Sequence, residues 1–151
     1  EVAKLFIGIF ITIIPAILIL NEGKNGALAP IISLVQEDGQ NINSMYFWLT
    51  GILSSFLDNA PTYMVFFNLA GSSVDTNVAN YLMYDQTMTL MAISLGAVFM
   101  GAMTYIGNAP NFMVKSISEE NGVKMPSFFG FIGWSVIILV PCFIIINLLF
   151  I

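Results

Sequence analysis

Two short polar segments carry the residue types that could do chemistry. The first is Asp58-Asn59-Ala60-Pro61-Thr62 and the second is Gly107-Asn108-Ala109-Pro110-Asn111. Each interrupts a long apolar run, and each has Asn-Ala-Pro at its centre. Asp58 is the only charged residue in the middle of such a run. A carboxylate at that depth is costly to keep ionised unless a cation or hydrogen-bond donors meet it. That suits exchange of a proton against a metal cation. Capping is the structural alternative: Asp58 stands just before Asn59-Ala60-Pro61 and could close the start of a helix whose first turn holds Pro61.

Asn59, Thr62, Asn108 and Asn111 add oxygen donors of the kind that hard cations such as sodium accept. Asp58, Asn59 and Asn108 are the expected sodium ligands. For each asparagine, backbone capping is an equal alternative. Ala60, Pro61, Gly107, Ala109 and Pro110 form the breaks themselves. Proline removes a backbone N–H and disfavours the helical conformation before it. Broken backbone at membrane depth survives only where protein buries it or a cavity hydrates it. Two breaks in one chain therefore predict one shared site. Helix amino ends after each break would favour an anion, and unwound carbonyls a cation. Ser54, Ser55 and Thr104 flank the breaks, and such hydroxyls usually bond back to their own helix. Asn68 and Ser94 read as packing or interhelical contacts.

The elements that must carry these segments are apolar. Hydrophobic residues make up 58% of the 151 residues and charged residues 9%. Soluble domains hold about 25% charged residues. Mean hydropathy is +0.88. These values predict an integral membrane protein with the lipid bilayer as its solvent. The net charge of -5, with four lysines and neither arginine nor histidine, excludes a nucleic-acid partner and histidine metal sites. Cys142 is the single cysteine, so no intrachain disulfide or zinc cluster is expected. No nucleophile–base pair or phosphate loop is present, and no enzymatic activity or organic cofactor is expected.

Residues 3–21 predict a first span, with Pro15 as a kink and Lys4 at its end; 17–25 apolar residues suffice to cross. The chain starts at Glu1 and reads as a fragment cut from a longer membrane protein. Residues 27–36 are too short to span and predict an interfacial helix. Glu37 to Asn43 reads as a polar loop broken at Gly39, and Ser44 as the cap of the next run. Residues 45–71 contain the first break. Each half is too short to cross, while one straight helix would be roughly 40 Å long. A re-entrant hairpin with Asp58–Pro61 at its tip is favoured over a tilted broken span. Residues 72–85 read as a solvent-facing loop. Residues 86–117 predict a discontinuous span with the second break inside it; Gly96 and Gly101 give it a close-packing face. Residues 127–151 predict a last span, anchored by Phe128, Phe129 and Trp134. With a hairpin, Lys4, Lys115 and Lys124 share the cytoplasmic face. With a crossing, Lys24, Lys115 and Lys124 would share one, so lysine placement does not decide between the two.

Three stretches carry a family resemblance: MYFWLTGILSSFLDNAPTYMVFFNLAG (45–71), GAVFMGAMTYIGNAPNFMVKSI (96–117) and MPSFFGFIGWS (125–135). They resemble the carboxyl-terminal half of the ion-transporter superfamily, in the citrate-transporter and sodium/proton antiporter group related to arsenite pumps. The resemblance implies an all-α integral membrane fold: three transmembrane helices, one discontinuous, plus a re-entrant helical hairpin, forming half of an inverted-repeat transporter. It implies an amino-terminal half as partner, and a homodimer is compatible with it. The family's dicarboxylate symporters carry Ser-Asn-Thr where this chain has Asp-Asn-Ala-Pro-Thr and Gly-Asn-Ala-Pro-Asn. That difference moves the expectation toward sodium and proton as the transported or coupling ions, in sodium/proton antiport by alternating access. The alternatives are a sodium-coupled symporter of citrate or another organic anion, and a non-transporting membrane subunit. The expected location is the bacterial inner membrane.

Overall fold

The computed structural model describes residues 7, 8, 11, 14, 15, 18, 26, 29–37, 39–72, 74 and 77–151. It is built of helices: α1 (Ala29–Val35), α2 (Asn43–Ser54), α3 (Asn59–Ala70), α4 (Val78–Asn80), α5 (Thr87–Met100), α6 (Ala109–Glu120) and α7 (Phe128–Phe150). The expected span over 3–21 lies mostly outside the described residues. Those described within it, such as Ile7, Ile11 and Pro15, are helical and exposed.

The polar stretch after α1 is more ordered than a loop. Gln36–Glu37 and Gln40–Asn41 pair as a small antiparallel ladder. The turn between them uses Gly39 at φ 78°, a conformation that favours glycine. The start of α2 also differs from expectation. Its N-cap is Ile42, without a side-chain cap bond, and Ser44 lies inside the first turn. The entry to the helix is held instead by a backbone bond beside the ladder, in which Ile42 N–H donates to the O of Val35, the last residue of α1, at 2.8 Å.

α2 and α3 fold back on one another. The rings of Tyr46 and Phe66 meet edge to face with centroids 6.3 Å apart. One straight helix would separate these residues by about 30 Å. At the open end the Asn41 side chain donates to Ala70 O at 3.4 Å. The pair is therefore a helical hairpin whose bend is residues 55–58.

α5 lies against this hairpin. At their crossing, a Cβ on Gly96 would collide with the Phe47 carbonyl. Only a glycine lets the two backbones approach so closely. Tyr46, Phe47, Phe66, Leu69, Ala92, Ile93 and Met100 form the core, joined by Ile32 and Val35 from α1 and Phe143 from α7.

The segment before α5 is not a solvent-facing loop throughout. Val78–Asn80 and a π turn over Tyr81–Asp85 stand at 101° to the helix that follows, and Leu82 is fully buried in the core. An apolar side chain every few residues in 78–82 was enough to anchor it.

Among the described residues, α7 is the one helix that alone has the length and apolarity to cross a bilayer: 23 residues at a hydropathy of 2.6. Its apolar side chains point outward, with Phe129, Ile137, Leu148 and Leu149 all exposed. Such a surface needs lipid or another protein surface around it. α6 is also peripheral and buries none of its residues.

Candidate functional site

Each Asn-Ala-Pro segment begins a helix. Pro61 and Pro110 sit in the first turns of α3 and α6, where a missing N–H costs nothing. Asp58 is the N-cap of α3, and its carboxylate accepts from Ala60 N–H at 3.1 Å. Asn108 is the N-cap residue of α6 but makes no side-chain cap bond; its carbonyl accepts from Asn111 N–H at 3.0 Å.

The second break is longer than the sequence suggested. α5 ends at Met100 and tightens into a 3₁₀ turn over Gly101–Met103. Thr104 is extended, and helix returns only at Ala109. Asn111, already inside α6, reaches back across the gap. Its amide donates to Thr104 O at 2.9 Å and to Gly101 O at 3.0 Å. It thus satisfies carbonyls that the end of α5 leaves open.

The two breaks touch. One terminal atom of the Asn59 amide lies 3.2 Å from Gly107 O, 3.0 Å from Ala97 O and 2.8 Å from Ser54 Oγ. The Ser54 hydroxyl already donates to Ala97 O at 2.6 Å. All the neighbours of that atom act as acceptors, so the hydrogen-bond network assigns it as the amide nitrogen. Asn59 thereby ties the hairpin to the break in the helix that follows.

Hydroxyls complete the junction, and they do so across helices. Ser55 Oγ bonds both Gly51 O of its own helix, at 2.9 Å, and Met100 O of α5, at 3.0 Å. Thr104 donates to Ser55 O in a short bond. The Thr104 hydroxyl oxygen in turn accepts from Gly107 N–H at 2.9 Å and Ile106 N–H at 3.2 Å. The expectation that these three hydroxyls bond only back to their own helices is therefore corrected. At a junction of broken helices the free carbonyls of a neighbour compete with the local one. By contrast, Asn68 and Ser94 bond back to Met64 O and Leu90 O, not between helices.

Gly107 fits only without a side chain. A Cβ there would stand 2.7 Å from both Gly101 O and Ser55 O and 2.9 Å from Ser54 O. Carbonyls from the carboxyl ends of α2 and α5 thus converge on one small volume. Both helix dipoles place partial negative charge there, which makes the junction suited to a cation.

The other expected site residues take different positions. Thr62 is buried, and its hydroxyl has no hydrogen-bond partner among the described residues. Asn108 is half-buried. Asp58 is exposed, which corrects the expectation of a buried acid. The bend explains this. Ser54, Ser55 and Thr62 are buried in the hairpin, whereas Phe56, Leu57 and Asp58 project from its tip. Among the described residues no group of three or more acidic, cysteine or histidine side chains could hold a metal. Any cation at the junction would rely on carbonyl, amide and hydroxyl oxygens.

A family model described as "Putative citrate transport" matches residues 1–151. The chain belongs to that family. The putative citrate transport family, together with the apolar helix α7, makes this a membrane protein of transporter type. No curated protein matches the chain, and no solved structure matches it.

Proposed function

We propose that the chain forms part of a sodium-coupled secondary transporter in which the junction of the two breaks holds the sodium ion. The observation that carries this reading is the Asn59 amide, set among Ala97 O, Gly107 O and Ser54 Oγ. Without a cation its nitrogen donates to these acceptors. When sodium enters, the amide turns over and presents Oδ1 as a further ligand. The site then gains an oxygen cage without moving a helix. The hairpin is re-entrant on this reading, and the two breaks meet at the membrane midplane, where half-helix ends replace water around the ion.

Asp58 is the proton-exchanging group of the favoured mode, sodium/proton antiport. It stands next to Asn59 at the hairpin tip and needs access to solvent to take up and release protons. Asn108 and Thr62 complete the cage, and the amino-terminal half expected from the resemblance walls it in. The family description supports a second mode, sodium-coupled uptake of citrate or another organic anion, held by the amino ends of α3 and α6.

Proteoliposomes of the full-length protein separate the modes. Antiport predicts sodium-driven proton movement that Asp58→Asn abolishes. Symport predicts sodium-dependent citrate uptake that survives Asp58→Asn and is lost in Asn108→Ala. Absence of both fluxes in folded protein defeats the transport reading.

A further inference from the structure

A second site lies on the far side of the long break. Tyr105 and Ile106, the face of α6 that carries Phe112, Lys115 and Glu119, and the turn before α7 enclose a hollow of about 450 Å³. Two of the chain's four cationic residues, Lys115 and Lys124, line it. Lys115 is held in place. Its ammonium lies 5.6 Å from the centroid of the buried Tyr105 ring and 2.8 Å from Glu119 Oε2. Tyr105 is fixed in turn by donating to Pro126 O at 3.1 Å and by stacking on Phe131 at 4.2 Å. Lys124 is exposed and has no ion pair among the described residues.

Two lysines and one glutamate leave the hollow with a single net positive charge. That matches the single negative charge of a phosphodiester and is a poor match for a tricarboxylate. The remaining wall is mostly apolar, with Ile106, Phe112, Met125 and Phe128 beside Ser127. Ile106 and Phe112 are exposed, as are Met113, Val114 and Ile117 of α6. The hollow also adjoins Phe128, the first residue of α7, the helix fit to span. An anionic head against an apolar wall at the entrance of a span describes a membrane lipid better than a free solute.

We propose that this hollow seats the headgroup of an anionic phospholipid, with Lys115 and Lys124 facing the phosphate and the Phe112 side receiving the acyl chain. The proposal is independent of the sodium reading, and either can fail alone.

The test is native mass spectrometry of the full-length protein with equal phosphatidylglycerol and phosphatidylcholine. Wild type should retain phosphatidylglycerol preferentially. Each of Lys115→Gln and Lys124→Gln should weaken that retention about fivefold, and Glu119→Gln should strengthen it. The double Lys→Arg variant should keep the preference, which guards against loss through misfolding. An unchanged preference in the double Lys→Gln variant would overturn the proposal. So would no gain in Glu119→Gln. Displacement of the lipid by millimolar glycerol phosphate would instead mark a free-anion site and overturn the lipid assignment.

Discussion

The side-chain amide of Asn59 donates to the carbonyl of Gly107 across 3.2 Å, joining one Asn-Ala-Pro segment to the other. They are 49 positions apart in sequence, yet the same few carbonyls lie between them. This contact makes the amide a structural tie, and on the proposed reading it is also the group that senses the cation.

Replacing Asn59 by Asp tests that double role. A carboxylate cannot donate to Ala97 O and Gly107 O, so the apo protein should lose stability by about 1–3 kcal/mol. Sodium should restore it, because the ion satisfies all the oxygens at once. Thermal unfolding in sodium and in potassium reads the effect: the sodium-dependent rise should be larger in Asn59→Asp than in wild type. A rise of equal size in both would remove the sensing role.

Thr104 holds the hairpin to the break through one buried hydroxyl. Thr104→Val leaves Ser55 O without that donor and the N–H groups of Ile106 and Gly107 without that acceptor. A loss of roughly 1–3 kcal/mol is expected, and Thr104→Ser should recover most of it. Equal stability of the Val and Ser variants would show that the hydroxyl contributes little.

Gly107 and Gly133 make a matched pair. An added methyl at Gly107 meets three carbonyl oxygens, whereas at Gly133 nothing lies within 4 Å. Gly107→Ala should cost about 1–3 kcal/mol and weaken sodium binding. Gly133→Ala should change stability by no more than about 0.5 kcal/mol. The comparison needs only unfolding curves for the two variants.

The positions of both bends were legible because Pro61 and Pro110 each follow polar Asn-Ala and suit a first helical turn, whereas Pro141, with apolar neighbours, stays inside α7. The all-helical character was legible from the length of the apolar runs. The true extent of the second break was not, since Gly101-Ala102-Met103 continues the apolar run without any polar signal. Nor were the roles of Ser54, Ser55 and Thr104. A hydroxyl near a helix end looks the same in sequence whether it bonds to its own backbone or to a neighbour's. Asp58 misled for a related reason. The sequence already set Asp58–Pro61 at a hairpin tip, but the side chains of Phe56, Leu57 and Asp58 project from that tip instead of folding into it.

The hairpin also predicts sidedness. Cysteines placed at Asn41 and Ser72, in a Cys142→Ser background, flank its two arms. A re-entrant hairpin exposes both to the same side of the membrane. A membrane-impermeant maleimide should therefore label both from one side only. Labelling from opposite sides would mean that 45–71 crosses the bilayer.

The most direct test of the central claim is equilibrium sodium binding to the full-length protein, wild type against Asn59→Ala. Saturable binding that potassium does not compete is expected in wild type, weakened at least about tenfold in the variant. Unchanged sodium affinity in a folded Asn59→Ala protein would contradict the placement of the ion at the junction of the two breaks.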